Sequence, residues 1–116
     1  MVEFYRVRLV REAREMLRKI GKKFGKKTYE ALRDLIQELE CSPEQKGEML
    51  TGQLHGLYSL HYSRFRVIYR IHDGAAEVVV LAAGWHESGS RKDIYRILER
   101  MVESGFLDIE DTAEDD

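Results

Sequence analysis

Leu57-Tyr58-Ser59-Leu60-His61-Tyr62-Ser63-Arg64-Phe65-Arg66-Val67-Ile68-Tyr69-Arg70-Ile71-His72-Asp73-Gly74 reads as two β-strands and two turns. Tyr58, Leu60 and Tyr62 fall on one face, as do Phe65, Val67, Tyr69 and Ile71 after the first turn. The other face carries Ser59, His61, Arg64, Arg66, Arg70 and His72, interrupted by Ile68. Alternation of this kind marks strands with one apolar face. If Ser63-Arg64 is a two-residue turn, Tyr62 pairs with Phe65, His61 lies opposite Arg66, and Ser59 lies opposite Ile68; a longer turn would stagger all three pairs. Asp73-Gly74 is a hairpin signal, and the Ala76–Ala83 run that follows holds Val78, Val79, Val80 and Leu81 in succession, which fits a third strand buried on both faces.

The period changes on the N-terminal side of this meander. Residues 3–9 alternate, with Tyr5, Val7 and Leu9 against Arg6 and Arg8, and predict a half-buried strand. Ala13, Met16, Leu17 and Ile20 recur at helical spacing over 11–23, and Ala31, Leu32, Leu35, Ile36 and Leu39 do so over 27–40. Gly21 to Lys27 reads as a glycine-punctuated turn joining two antiparallel helices, and Pro43, the single proline, as the end of the second. On the C-terminal side, Ile94, Ile97, Leu98 and Met101 give residues 90–102 an apolar helical stripe. Ser90 stands where an N-cap would sit, Asp93 three residues on, and Gly105 is a natural stop. The order is strand, two helices, three-strand meander, helix. The expected class is α+β, with an antiparallel sheet and segregated helices, in one domain over residues 1–107 followed by an acidic tail at 108–116.

Composition limits the chemistry. A chain of 116 residues with 43% hydrophobic and 34% charged residues has the make-up of one globular domain. The single cysteine, Cys41, leaves no intrachain disulfide and no thiolate metal cluster. There is no run of about 18 apolar residues and no N-terminal apolar segment of the secretory kind, so the expected location is the cytoplasm, with no membrane association. The net charge of −2 hides an asymmetry: residues 101–116 hold seven acids and no lysine or arginine, whereas residues 1–100 carry 19 basic and 14 acidic groups, a net of +5. A basic body suits a polyanionic partner, and it is equally what a solvated surface provides.

The residues that carry chemistry gather on the polar face of the meander and in the loop after it. An imidazole beside guanidiniums suits a phosphate ligand, because arginine binds phosphate bidentately and histidine moves protons near neutrality. The alternative is an open, solvated face of a one-sided sheet. Gly84-Trp85-His86-Glu87-Ser88-Gly89-Ser90-Arg91-Lys92-Asp93-Ile94-Tyr95-Arg96 ends the third strand in a loop rich in basic groups, the kind of segment on which function concentrates. Trp85 reads as a packing residue at the sheet's end. Gly21, Gly25 and Lys26 do not make a phosphate-binding P-loop, since the spacing is short and no Ser or Thr follows; His86-Glu87 lacks the second histidine of a zinc protease motif.

Leu50-Thr51-Gly52, Gly56-Leu57-Tyr58-Ser59-Leu60, Phe65-Arg66-Val67-Ile68-Tyr69-Arg70 and Asp93-Ile94-Tyr95 together resemble the RelE/ParE superfamily of type II toxins, and the element order agrees over residues 3–103. The resemblance implies a small toxin neutralised by a cognate antitoxin that covers the basic face or displaces the final helix. RelE-like members are ribosome-dependent mRNA endonucleases that use the RNA's own 2′-hydroxyl as nucleophile, with no metal or cofactor. Carried over residue by residue, Arg66 matches the arginine of the family's site, His86 the loop histidine or arginine, and Tyr95 the aromatic that follows the loop. Where relatives have strand lysines this sequence has Ser59 and His61, so His61 becomes the candidate base. His61 and His86 share the acid and base roles in either order. Arg64, Arg70, Arg91, Lys92 and Arg96 are the expected RNA-backbone contacts. Lys22, Lys23, Lys26 and Lys27 are either solvated or contacts to ribosomal RNA. ParE-like members, which poison DNA gyrase by binding it, are the rival reading, and a non-toxic relative that survives only as a binding protein is a third.

Overall fold

A computed structural model of the chain describes residues 4–105. The elements run β1 (Arg6–Leu9), α1 (Arg11–Phe24), α2 (Lys26–Gln37), a 3₁₀ turn (Glu38–Glu40), a one-turn helix α3 (Pro43–Lys46), β2 (Glu48–Met49), β3 (Tyr58–Tyr62), β4 (Phe65–His72), β5 (Glu77–Trp85) and α4 (Ile94–Glu103), with further 3₁₀ turns at Gly52–Leu54 and Asp73–Ala75. The expected acidic tail lies outside the described residues.

The five strands form one sheet in the order β1-β5-β4-β3-β2. The meander is antiparallel and its register is the one a two-residue Ser63-Arg64 turn dictates: Tyr62 pairs with Phe65, His61 with Arg66 and Ser59 with Ile68. Ser63 takes a positive φ of 54° to close that turn. Two features were not legible in the periodicity. The first strand runs parallel to β5, with Arg6 beside Glu77 and Leu9 beside Val80. A two-residue fifth strand, β2, pairs with β3.

Both faces of the sheet are covered. Phe65, Val67, Tyr69, Val78 and Val80 pack against Ala13, Leu17 and Ile20 of α1 and Leu32 and Ile36 of α2. On the opposite face Ile68, Val79, Leu81 and Ala82 pack with Leu54, Leu57 and Ile94 and Leu98 of α4. The register shift at Ile68/Tyr69 inserts Leu81 as an extra residue, so consecutive Leu81 and Ala82 both face α4. The expected double burial of this strand is therefore observed, and the open solvated face is not. Gly84 sets how closely α4 approaches: a Cβ there would lie 2.9 Å from Ile94 Cδ1 and 3.1 Å from its Cβ.

Three boundaries differ from expectation. Gly21 to Phe24 continue α1 rather than forming a loop: Gly21 faces Tyr29 of α2, whose Cβ lies 3.2 Å from a would-be Cβ, and the helix breaks at Gly25, with φ 110°. Pro43 does not end α2 but opens α3 at its first turn, where its missing N–H costs nothing. Ser90 is not the cap of α4. Asp93 takes that place, its side chain accepting the Tyr95 N–H.

Candidate active site

The site lies at the end of the sheet where Phe65 pairs with Trp85 and Arg66 with Gly84. His61, Arg66 and Gly84 sit side by side on β3, β4 and β5, on the face covered by α4. Two residues past Gly84 the chain leaves the sheet, and the His86 N–H donates to the Arg64 carbonyl at 2.7 Å. That bond ties the β5–α4 loop to the β3–β4 turn.

His86 is the centre of the arrangement. Its Nδ1 lies 2.6 Å from Asp93 Oδ1, and its ring meets the Tyr95 ring edge to face at 5.4 Å. The His86 side chain is 42% exposed and that of Asp93 only 5%, so the imidazole is anchored from beneath and open above. Asp93 also accepts the N–H groups of Glu87 and Tyr95. Burial pushes its carboxyl pKa up, but the Glu87 N–H, the His86 bond and the Tyr95 N–H outweigh this and hold it below the usual carboxylate range. Tyr95 is fixed at its far end by a 2.9 Å hydrogen bond between its hydroxyl and the Oγ of Ser59, a fully buried residue of β3.

His61 is exposed, with Nε2 3.6 Å from Glu48 Oε1. Partial burial, then the Arg66 guanidinium and the His86 ring, lower its pKa against the opposing pull of Glu48. The shift favours the neutral ring, the state a proton acceptor needs. Arg66 folds back on the β3–β4 turn, where Nη1 donates to the carbonyls of Ser63 and Phe65. To clamp a phosphate with that nitrogen it must release the turn.

The sequence-expected residues are mostly brought together. His61, Arg66, His86 and Tyr95 share one end of one sheet face. Arg64 is exposed on the turn, 5.3 Å over the Phe24 ring, while Arg91, Lys92 and Arg96 are exposed around the start of α4. Arg70 is the exception. It is only 4% exposed and is not a surface contact for RNA. The lysine-rich α1–α2 junction lies at the same end of the molecule: Lys23 sits 4.9 Å over the Trp85 ring, and Phe24 packs edge-on against both Phe65 and Trp85. Trp85 is thus a packing residue, its Nε1 donating to Glu87. Asp93 and Ser59 are the site residues that spacing alone did not identify. The signal for Asp93 was present as a helix-cap pattern, and its second partner, seven residues back, required the loop's path. Among the described residues no three His, Cys, Asp or Glu side chains converge as a metal site would require.

The family model of the ParE toxin of the type II toxin-antitoxin system parDE matches residues 7–88. The chain belongs to this family. As a ParE-family member of the RelE/ParE superfamily it is a toxin of a toxin-antitoxin system. No curated protein matches the sequence. Among solved structures it resembles the RelBE2 toxin-antitoxin complex of Mycobacterium tuberculosis, at 26% identity and TM-score 0.64, over 74% of this chain and 95% of that one. It is also similar to a YoeB/ParE toxin from Agrobacterium tumefaciens, at 19% identity and TM-score 0.59, covering 71% and 99% of the two chains. The isolated E. coli RelE toxin gives 22% identity and TM-score 0.59, over 89% and 99%. These last two likenesses concern the fold. The match to the ParE family model includes His61, Arg66 and His86 and stops before Asp93 and Tyr95, the residues that position and flank the loop histidine.

Proposed function

We propose that this toxin is a metal-independent endoribonuclease that cuts mRNA on the ribosome, held in check by a cognate antitoxin. The observation that carries this reading is the exposed His86 held by a buried carboxylate, at the same end of the sheet as the paired His61 and Arg66. Cleavage by the 2′-hydroxyl needs a base for the 2′-OH proton, an acid for the 5′-oxygen leaving group, and positive charge for the phosphoryl oxygens. Each positioned acid or base supplies about 10²–10⁴-fold. His61 beside Arg66 is suited to accept a proton. His86 beside Asp93 is suited to carry one as imidazolium and deliver it. Arg66, turned from its carbonyl partners, supplies the fixed charge that such transition states need. Tyr95, half-exposed and anchored to Ser59, offers a face on which an unstacked base can rest. Arg64, Arg91, Lys92 and Arg96 surround these groups and suit the backbone. An antitoxin partner fits the toxin-antitoxin complexes among the structural relatives.

Purified protein in a cell-free translation reaction, with mRNA 5′ ends mapped by primer extension, tests the proposal. New ends within codons, dependent on translating ribosomes and absent with His86→Ala, are expected. The family match favours a second reading, the gyrase poisoning implied by the ParE resemblance, and the absence of strand lysines at positions 59 and 61 is consistent with it. Intact mRNA together with inhibited DNA supercoiling would establish that reading instead.

A further inference from the structure

The buried carboxylate of Asp93 makes more contacts than a helix cap requires. A cap needs one acceptor for one free N–H of the first turn. Asp93 Oδ2 supplies that acceptor to Tyr95 N–H at 3.0 Å. Its Oδ1 turns the other way, to the Glu87 N–H and to His86 Nδ1 at 2.6 Å. The Glu87 N–H can only donate, so the carboxylate is held as an acceptor on the side that faces His86.

We propose that Asp93 is the positioning residue of the site: its Oδ1 keeps the proton of neutral His86 on Nδ1, and its Oδ2 holds Tyr95 beside that ring. A neutral imidazole carries one proton, and the nitrogen that bears it is chosen by the partner the ring meets. With a carboxylate against Nδ1, Nε2 is the nitrogen through which His86 gives up a proton and takes one back, and it lies at the open end of a ring whose other end is fixed. The same carboxylate ties the two groups that share no strand. His86 belongs to the loop and Tyr95 to the helix, and their 5.4 Å edge-to-face contact depends on both being bound to Asp93. Two outer tethers close the circuit to the sheet, Tyr95 to Ser59 on β3 and His86 N–H to the Arg64 carbonyl. The loop between β5 and α4 is eight residues, His86 to Asp93, and contains Gly89 at φ 80°, so without an internal strut it has little to define where His86 points.

The catalytic half of this inference rests on the nuclease reading; the protonation half does not, and the experiment separates them. Asp93→Ser keeps a good cap for α4 but has no oxygen long enough to reach His86. Asp93→Asn keeps a carbonyl oxygen that can serve His86. Full-length wild type and both variants are compared by ¹⁵N NMR of the histidine side chains at a pH where His86 is neutral, and by steady-state cleavage in the ribosome reaction. In wild type the His86 signals should be those of the Nδ1–H tautomer. In Asp93→Ser they should move to the Nε2–H form that free histidine favours, with α4 intact by amide shifts. Cleavage by Asp93→Ser should fall about 10²-fold in kcat with KM little changed, the scale of one mispositioned acid or base. Asp93→Asn should recover the Nδ1–H signature and at least a tenth of the activity. An Nε2–H tautomer in wild type, or an unchanged tautomer in Asp93→Ser, overturns the proposal. So does full cleavage by Asp93→Ser once the tautomer has moved. Wild type that shows the Nδ1–H form but never cleaves RNA overturns the nuclease reading and leaves the tautomer assignment standing.

Discussion

Adding one methyl group at Gly84 tests whether the final helix is seated as closely as the site requires. In Gly84→Ala the new Cβ would come 2.9 Å from Ile94 Cδ1, 3.1 Å from Ile94 Cβ and 3.3 Å from Ile94 Cγ1. The first contact is with the tip of a side chain and can be relieved by a rotamer change. The second is with an atom fixed to the helix backbone, and Ile94 is 1% exposed, with no room to retreat. The first turn of α4 must therefore move outward by several tenths of an ångström. Overpacking of this kind costs about 1–3 kcal/mol, and each kcal/mol is worth about 4 °C or more in Tm for a domain of this size. Urea unfolding should show a lower midpoint with an unchanged m-value. Gly74→Ala is the control, since a Cβ there meets nothing within 4 Å; it should be neutral within ~0.5 kcal/mol. Ile94→Val removes Cδ1 and should cost about 0.5–1.5 kcal/mol in wild type but less in the Gly84→Ala background, a coupling of about 0.5 kcal/mol or more. Asp93 and Tyr95 flank Ile94, so the same displacement should disturb His86 and lower any cleavage activity by more than stability alone explains. Gly84→Ala as stable as Gly74→Ala, or strictly additive with Ile94→Val, would refute the close seating of α4.

Other perturbations have defined signs. His86→Ala and Arg66→Ala should each reduce mRNA cleavage by at least 10²-fold while leaving the circular dichroism spectrum unchanged. The lowered pKa of His61 should appear in an NMR titration as a midpoint below about 6.5, moving up in Arg66→Gln and further down in Glu48→Gln; the acid limb of the cleavage rate should follow it. Because Asp93 is held below its unfolded value, it stabilises the fold above about pH 4 and loses that contribution as pH falls through its folded value. Asp93→Asn should therefore be less stable than wild type at pH 7, with the gap narrowing in acid. Tyr5 donates to Asp73 at 2.6 Å and, through that bond and burial, is raised to about 12. Its contribution should persist up to about pH 10, vanish as pH rises past the folded value, and be missing in Tyr5→Phe, a loss of about 1 kcal/mol by denaturation at pH 7. Arg70→Ala should lower stability by ~1–3 kcal/mol without changing the salt dependence of RNA binding.

The meander was legible because its turn is so short. Ser63-Arg64 leaves one register for Tyr62 and Phe65, and His61 beside Arg66 follows from it. The amphipathic helices were legible for the same local reason, a 3.6-residue period with few breaks. What escaped the sequence depends on contacts between distant segments. Nothing near Arg6 announces that it will lie parallel to Glu77, and nothing near Arg70 announces that its side chain will be buried. Alternation put Arg70 beside Arg66, and burial then separated them. Asp93 was readable as a residue near a helix start, and the shift of the cap from Ser90 to Asp93 follows from the extra contacts a buried carboxylate makes in the folded loop. The loop histidine was found by its chemistry, and the residue that fixes it only by geometry.

The parallel pairing of the first strand has a consequence for how the protein is made. Arg6 and its partner Glu77 are 71 residues apart. At about 5–20 residues per second, synthesis separates them by about 4–14 s. During that interval α1 and α2 can form their hairpin, but the apolar faces that later close on β4 and β5 have no sheet to cover. The β5 strand, once released, pairs with β1 on one side and β4 on the other and so completes the sheet. His86, Asp93 and Tyr95 leave the ribosome after it. The site is thus completed only after the sheet, and a chain truncated before residue 77 lacks the strand that joins β1 to β4 as well as the loop that the strand carries.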